Sequence, residues 1–135
     1  MTSLIFGSKT TLSQKAAEMA QTYANTVEAE RVRQIVSIRS HCINSLQLKI
    51  TTGAQEYGLH QISYNLKKAI GEYIDINFNH QYQSNCVIKE NNVNIPKFAP
   101  LNAHEYQSIV DTVSAFLTKE AFKYTFDEDT FAIMW

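Results

Sequence analysis

Residues 27–46 read VEAERVRQIVSIRSHCINSL. Apolar side chains return at Val27, Ile35, Ile38, Cys42 and Leu46, steps of four, three and one of eight that place them on one side of a helix. The pattern continues towards the N-terminus through Leu12, Ala16, Met19 (or Ala20) and Tyr23, and neither glycine nor proline occurs from Ser8 to Thr52. A helix is therefore expected from about Thr11 to about Gln47, with Thr11 or Ser13 as its cap. The competing reading is a strand at Ile35–Ile38 or Leu46–Thr51, where β-branched residues gather. Val32, Val36 and Ile43 widen the stripe to about half the circumference at ~100° per residue. A face that broad packs on two sides, or packs once internally and once against another chain, so a homo-oligomer is expected.

Downstream, Gly53 and Gly58 bracket a connection. A second helix is expected from about Leu59 to Phe78, with Leu59, Ile62, Leu66, Ala69, Ile70, Tyr73 and Ile74 inward. It would lie antiparallel to the first. The polar stretch from Asn79 to Asn85 ends it. Two apolar-alternating runs, Cys86–Glu90 and Val93–Phe98, flank Asn91 and Asn92 and read as a hairpin whose Pro96 strand is an edge. Asn102 followed by Glu105 is a capping box that opens an amphipathic helix carrying Tyr106, Ile109, Val110, Val113, Phe116 and Leu117. Phe122, Tyr124 and Phe126 alternate before Asp127-Glu128-Asp129, and Phe131, Ile133 and Trp135 alternate after it, which predicts a hairpin with an aromatic face. The expectation is one α+β domain over residues 1–135: two helices, hairpin, helix, hairpin.

Composition excludes several classes. A net charge of −1 argues against a general polyanion binder. Positive charge is concentrated between Arg31 and Ile70, with six Lys/Arg and the single acid Glu56, while Pro100 to Trp135 carries six acids against two lysines. These segments could pair within a chain or head-to-tail between chains, the alternative being ordinary surface variation. The N-terminus lacks the basic start and apolar run of a signal peptide, Thr2 excludes myristoylation, and no segment approaches the ~20 apolar residues that span a membrane. A cytoplasmic protein with Cys42 and Cys86 as reduced thiols is expected, a disulfide between them being the alternative. Phe, Tyr, Met, Ile, Asn and Lys total 49 against 21 for Gly, Ala, Arg and Pro, a bias that suggests AT-rich coding and, with it, a viral or phage accessory factor.

All three arginines, Arg31, Arg33 and Arg39, lie in this first helix. Phasing sends Arg33 outward beside Glu30, Ser37 and Asn44, but puts Arg31 and Arg39 in the apolar arc. A guanidinium there must be paired, snorkel, or open onto a pocket or interface. Arg31 and Arg39 are thus the first candidates for anion recognition or assembly, and their substitution by alanine should matter more than that of Arg33. Tyr57, Tyr64 and Lys68, spaced by seven and four on the second helix's polar side, are a second candidate set for stacking or partner contact.

Catalytic signatures are lacking. His41, His60, His80 and His104 are scattered singly, Asp127-Glu128-Asp129 lacks the glycine and distal glutamate of a calcium loop, and there is no glycine-rich phosphate loop. No metal or cofactor is expected. The leading expectation is a non-enzymatic oligomeric binding protein for a nucleotide-like anion or a partner protein. The alternatives are a nucleic-acid binder using Arg33, Arg39, Lys49, Lys67 and Lys68, and a small hydrolase or nuclease built on dispersed His and acidic residues.

Overall fold

The computed structural model describes residues 11–79, 87–90, 93–96 and 98–135. The N-terminal helix, α1, runs from Leu12 to Tyr57, 46 residues. Thr11 caps it, accepting from the Gln14 amide while the Gln14 side chain accepts from the Thr11 amide. The helix passes ten residues beyond the expected end at Gln47, through Ile50 and Gly53. Ile50 and Gly53 are buried, and packing overrides the weak helix propensity of this β-branched stretch. Gly53 is a point of close approach: a Cβ there would meet Ile62 Cγ2 at 3.3 Å and Leu59 Cδ1 at 3.4 Å. Only Gly58 ends the helix, in the left-handed region at φ 63°. Its amide bonds the Ala54 carbonyl at 3.2 Å, and the Leu59 amide bonds that of Gly53 at 3.0 Å.

The expected second helix divides. Its first part is a strand, β1 (Gln61–Asn65), and only then does α2 begin, at Leu66–Ile74, followed by one π-helical turn at Asp75–Asn79. Asn65 marks the switch, its side chain capping α2 by accepting from the Lys68 amide. The strand forms because the C-terminal hairpin offers an edge 70 residues along the chain, which a local helical period cannot reveal. Gln61↔Met134, Tyr64↔Phe131 and Asn65↔Thr130 pair antiparallel. The returning chain is antiparallel to α1. Lys49 bonds Ser63, Ser45 bonds Tyr64, and Ser37 and His41 meet Tyr73.

After the hairpin of β2 (Val87–Glu90) and β3 (Val93–Pro96), α3 spans Ala103–Lys119 behind its capping box of Asn102 and Glu105. The turn at Asn91 and Asn92 and the residue Cys86 lie outside the described residues. Strands β4 (Lys123–Asp127) and β5 (Thr130–Met134) close a three-stranded antiparallel sheet in the order β1-β5-β4. Glu128 and Asp129 both take positive φ, 47° and 63°, the backbone that a two-residue hairpin turn requires. Phe131 is fully buried between the rings of Tyr124 and Phe126. It joins Ile38, Cys42 and Leu46 of α1, Leu66 of α2 and Ile109, Val113 and Leu117 of α3 in a single core. Cys42 is a free thiol, and burial pushes its pKa up to about 11 although a Tyr64 hydrogen bond opposes the rise.

Candidate functional site

Arg31 is occupied from within the chain. Its Nε and one terminal nitrogen form a fork on the Glu105 carboxylate at 2.9 and 2.6 Å. The other nitrogen donates to the Ala99 carbonyl at 2.7 Å, and Pro100 accepts a further bond at 3.2 Å. The guanidinium carbon lies 4.2 Å from the centre of the Phe98 ring. Four bonds and a ring leave little donor capacity for a ligand. Glu105 serves two elements at once, since the same carboxylate accepts from the Asn102 amide to cap α3. The Arg31 hydrogen bonds hold its carboxyl below its ordinary range, against the opposing effect of partial burial. Here the basic middle and acidic C-terminal segments meet, within one chain.

The other two arginines differ. Arg33 is exposed and pairs with Glu30, one turn away on the same helix. Arg39 donates to Ser108 Oγ of α3 at 2.7 Å, and its buried Nε has no hydrogen-bond partner. It borders a shallow depression of about 320 Å3 with Ser40, Ile43, Asn44 and Thr112. No described carboxylate lies within ion-pair distance of it.

Tyr57, Tyr64 and Lys68 do not share a face, because the strand interrupts the helical spacing that would have aligned them. Tyr57 is exposed at the end of α1. Tyr64 is buried in β1, its hydroxyl 2.6 Å from Ser45 Oγ and 3.3 Å from the Cys42 carbonyl. Burial pushes its pKa up to about 12, with the Ser45 hydrogen bond opposing. A tyrosine held in this way supports packing between α1 and β1 and has no free face on which a base could stack. Lys68 is exposed and stands on the ridge between two clefts.

The first cleft, about 880 Å3, lies between α2 and the start of α3. Ile70, Ile74, Phe98 and Leu101 make its walls apolar, and Lys67 and Lys68 project at the N-terminal end of α2. No described acid pairs with either lysine. The first turn of α2 carries no acidic side chain, but its Leu66 amide donates to the Asp129 carbonyl at 2.8 Å, its Lys68 amide to Asn65, and Glu72, Asp75 and Asp129 also line the cleft. Tyr106 reaches in from α3 and donates to Asp129 Oδ1 at 2.7 Å. Burial raises its pKa, and the Asp129 carboxylate raises it further, so the phenol stays a neutral donor. Gly71 lines the cleft in mid-helix, and a Cβ added there would meet nothing within 4 Å. Packing does not require that glycine, which weakens the helix by about 0.5–1 kcal/mol relative to alanine. It leaves the floor of the cleft flat.

The second cleft, about 890 Å3, runs on the other side of α2 beneath α1 and is more polar, with His41, Lys49, Ser63, Asn65, Lys68 and Glu72 among its lining. Lys49 is engaged there by the Ser63 carbonyl at 2.5 Å, and His41 stacks on Tyr73 at 4.3 Å. His60 and His104 line neither cleft, and His80 lies outside the described residues. Among the described residues no three His, Cys, Asp or Glu side chains gather where a metal could be held, and no helix is long and apolar enough to cross a membrane.

The remaining feature is the first part of α1. Residues 11–25 are exposed on every side, and the helix first enters the core at Glu30. Residues 12–29 thus form an arm of about 27 Å at 1.5 Å per residue.

No protein-family model matches this sequence, and neither a curated protein nor a solved structure matches it.

The sequence pointed to Lys68 and, for a nucleic-acid ligand, to Lys67, but read Tyr106 as a core-face residue and Asp129 as part of a hairpin tip, and passed over Gly71. A signal was present: two adjacent lysines directly after a capping asparagine, and a glycine within a helical period.

Proposed function

We propose that the protein is a non-enzymatic, oligomeric binding protein that takes a small amphipathic anion, nucleotide-like in shape, in the cleft between α2 and α3. The observation that carries this reading is an apolar slot with two lysines at one end, although the carboxylates of Glu72, Asp75 and Asp129 also belong to the lining and confine an anion to the lysine end. Ile70, Ile74, Phe98 and Leu101 offer a surface for a flat or aliphatic body. Lys67 and Lys68 offer an attraction for phosphate or carboxylate. The volume suits a drug-sized molecule, since such sites span about 300–1,000 Å3. Gly71 strengthens the reading, because the open floor serves no contact within the chain. Arg31 acts one layer behind, its contacts with the Phe98 ring and the Ala99 and Pro100 carbonyls holding the segment that supplies Phe98 and Pro100 to the wall.

The test combines two measurements. Native mass spectrometry of protein from its own source should show a retained mass of a few hundred daltons, on the order expected for a ligand of this volume. Calorimetric titration with mononucleotides and fatty carboxylates should then find one class that binds. Gly71→Leu should abolish that binding without loss of fold, and Lys68→Glu should weaken it at least about tenfold, or ~1.4 kcal/mol. Binding indifferent to both substitutions overturns the reading.

A nucleic-acid reading is less favoured, since its stacking platform is absent: Tyr64 is buried. Self-association belongs to the proposal through the arm of α1, where Leu12, Met19 and Tyr23 stand exposed.

A further inference from the structure

The arm of α1 is amphipathic in its own right. At ~100° per residue, Leu12, Ala16, Met19, Ala20, Tyr23 and Val27 fall within an arc of about 100°. Leu12 is 78 % exposed, Met19 61 % and Tyr23 43 %. The polar side is satisfied locally: Gln21 donates to Asn25 at 2.9 Å, and Thr22 and Thr26 donate back to the carbonyls of Glu18 and Thr22. Leu12, Met19 and Tyr23 are the exposed part of the stripe, and Val27 is half-buried at its head end. Alanines at 16, 17, 20, 24 and 29 and the Thr11–Gln14 capping box favour helix, so the arm is a straight, preformed element.

We infer that this stripe pairs with the same stripe of a second copy, antiparallel, with residue i opposite residue 39 − i. The inference rests on the reading above that the arm self-associates, and it names the geometry. Three observations select it. The first is size. In this register Met19 lies opposite Ala20, Ala16 opposite Tyr23 and Leu12 opposite Val27, so the bulky Met and Tyr side chains each meet an alanine, and the seam can close with few voids. A parallel, in-register pair would set Tyr23 on Tyr23 and leave a gap between the two Ala16 residues.

The second is charge. The first turn of α1 contains no acidic residue, so its positive end is uncompensated. Antiparallel pairing brings each N-terminus to the level of Glu28 and Glu30 on the other copy. Parallel pairing would place the two positive ends side by side. The third is length. With residue 11 level with residue 28 of the second copy, the overlap uses the whole exposed arm and stops just where Glu30 enters the folded head. The two heads then lie at opposite ends and do not compete for space. A seam of this length buries less than the ~1,200 Å2 of a standard interface, so the dimer should be of micromolar strength and depend on concentration.

Sedimentation velocity from about 5 to about 500 µM, together with single-cysteine cross-linking, tests the geometry. Cys86→Ser provides the background, and Cys42 is buried and out of reach. Ala20→Cys, next to the two-fold axis, should form a disulfide-linked dimer. Leu12→Cys alone should not, because the two sulfurs would be about 22 Å apart along the seam. A mixture of Leu12→Cys and Val27→Cys proteins should cross-link. Met19→Glu should weaken association at least about tenfold while the far-UV spectrum and the unfolding midpoint of the head stay unchanged. If Leu12→Cys cross-links with itself and the mixture does not, the antiparallel geometry is overturned while self-association through the arm stands. A monomer at every concentration, with no Ala20→Cys product, overturns both.

Discussion

The two halves of α1 are one continuous helix held in two different ways. From Glu30 to Gly53 the helix buries Ile35, Ile38, Cys42, Leu46 and Ile50 against α2, α3 and the sheet. From Leu12 to Asn25 every residue is exposed, and this part persists by propensity, capping and extension from the rooted half. Propagating a formed helix needs no new nucleus, so the arm is helical without tertiary contacts of its own. Helical period is thus shared by an element of the core and by an element that projects from it. Periodicity identifies the helix, while the supply of partners decides which half is buried.

The sharpest way to break this contrast is a pair of truncations. Ile38→Ala should destabilise the head by about 3 kcal/mol, the usual range for deleting a fully buried aliphatic side chain. Met19→Ala, on the arm, should change stability by less than about 0.5 kcal/mol. Urea unfolding monitored by Trp135 fluorescence measures both, and equal effects would mean that the arm is packed. Next in size is the clamp at the junction of the halves. Arg31→Met should cost about 2 kcal/mol, since it strips Glu105, Ala99 and Pro100 of their donors.

The clamp also makes stability depend on pH. The folded Glu105 carboxyl titrates below its ordinary value near 4.5, so its contribution is complete above that value and is lost as pH falls through the depressed one. Acid titration should show this loss in the parent protein and a smaller loss in Arg31→Met. Gly71→Ala should stabilise by about 0.5–1 kcal/mol, because alanine improves the helix and meets no neighbour. Arg39→Met should shift stability by less than about 0.5 kcal/mol, as the loss of the Ser108 bond is offset by removal of an unsatisfied buried nitrogen. A large effect at Arg39 and a small one at Arg31 would reverse the assignment of the structural arginine.

Local pattern carried far in this chain, and where it failed the reason is specific. The capping box at Asn102 and Glu105, the aromatic C-terminal hairpin and the antiparallel return of the second helix all follow from residues within a few positions of one another. Residues 61–65 misled because Ile62, Leu66 and Ala69 fit a helical period as well as Ile62 and Tyr64 fit an alternating one. Pairing with β5 resolved that ambiguity. The same switch removed the expected row of Tyr57, Tyr64 and Lys68.

The sequence alone determined that the chain is α+β, that its first helix is long, that Arg31 must be paired, snorkel or open onto a pocket or interface, and that the charge is divided between a basic middle and an acidic end. Those properties depend on side-chain spacing and charge, which are written in order along the chain. Only the tertiary structure decided that Glu105 is the partner, that Arg39 is left with an unpaired nitrogen, and that Lys67, Lys68 and Gly71 border a cleft with Phe98 and Leu101. These contacts join residues about 30 to 75 positions apart. Which of the many distant pairs meet is fixed by how the helices and sheet close on one core, through burial that has no local signature.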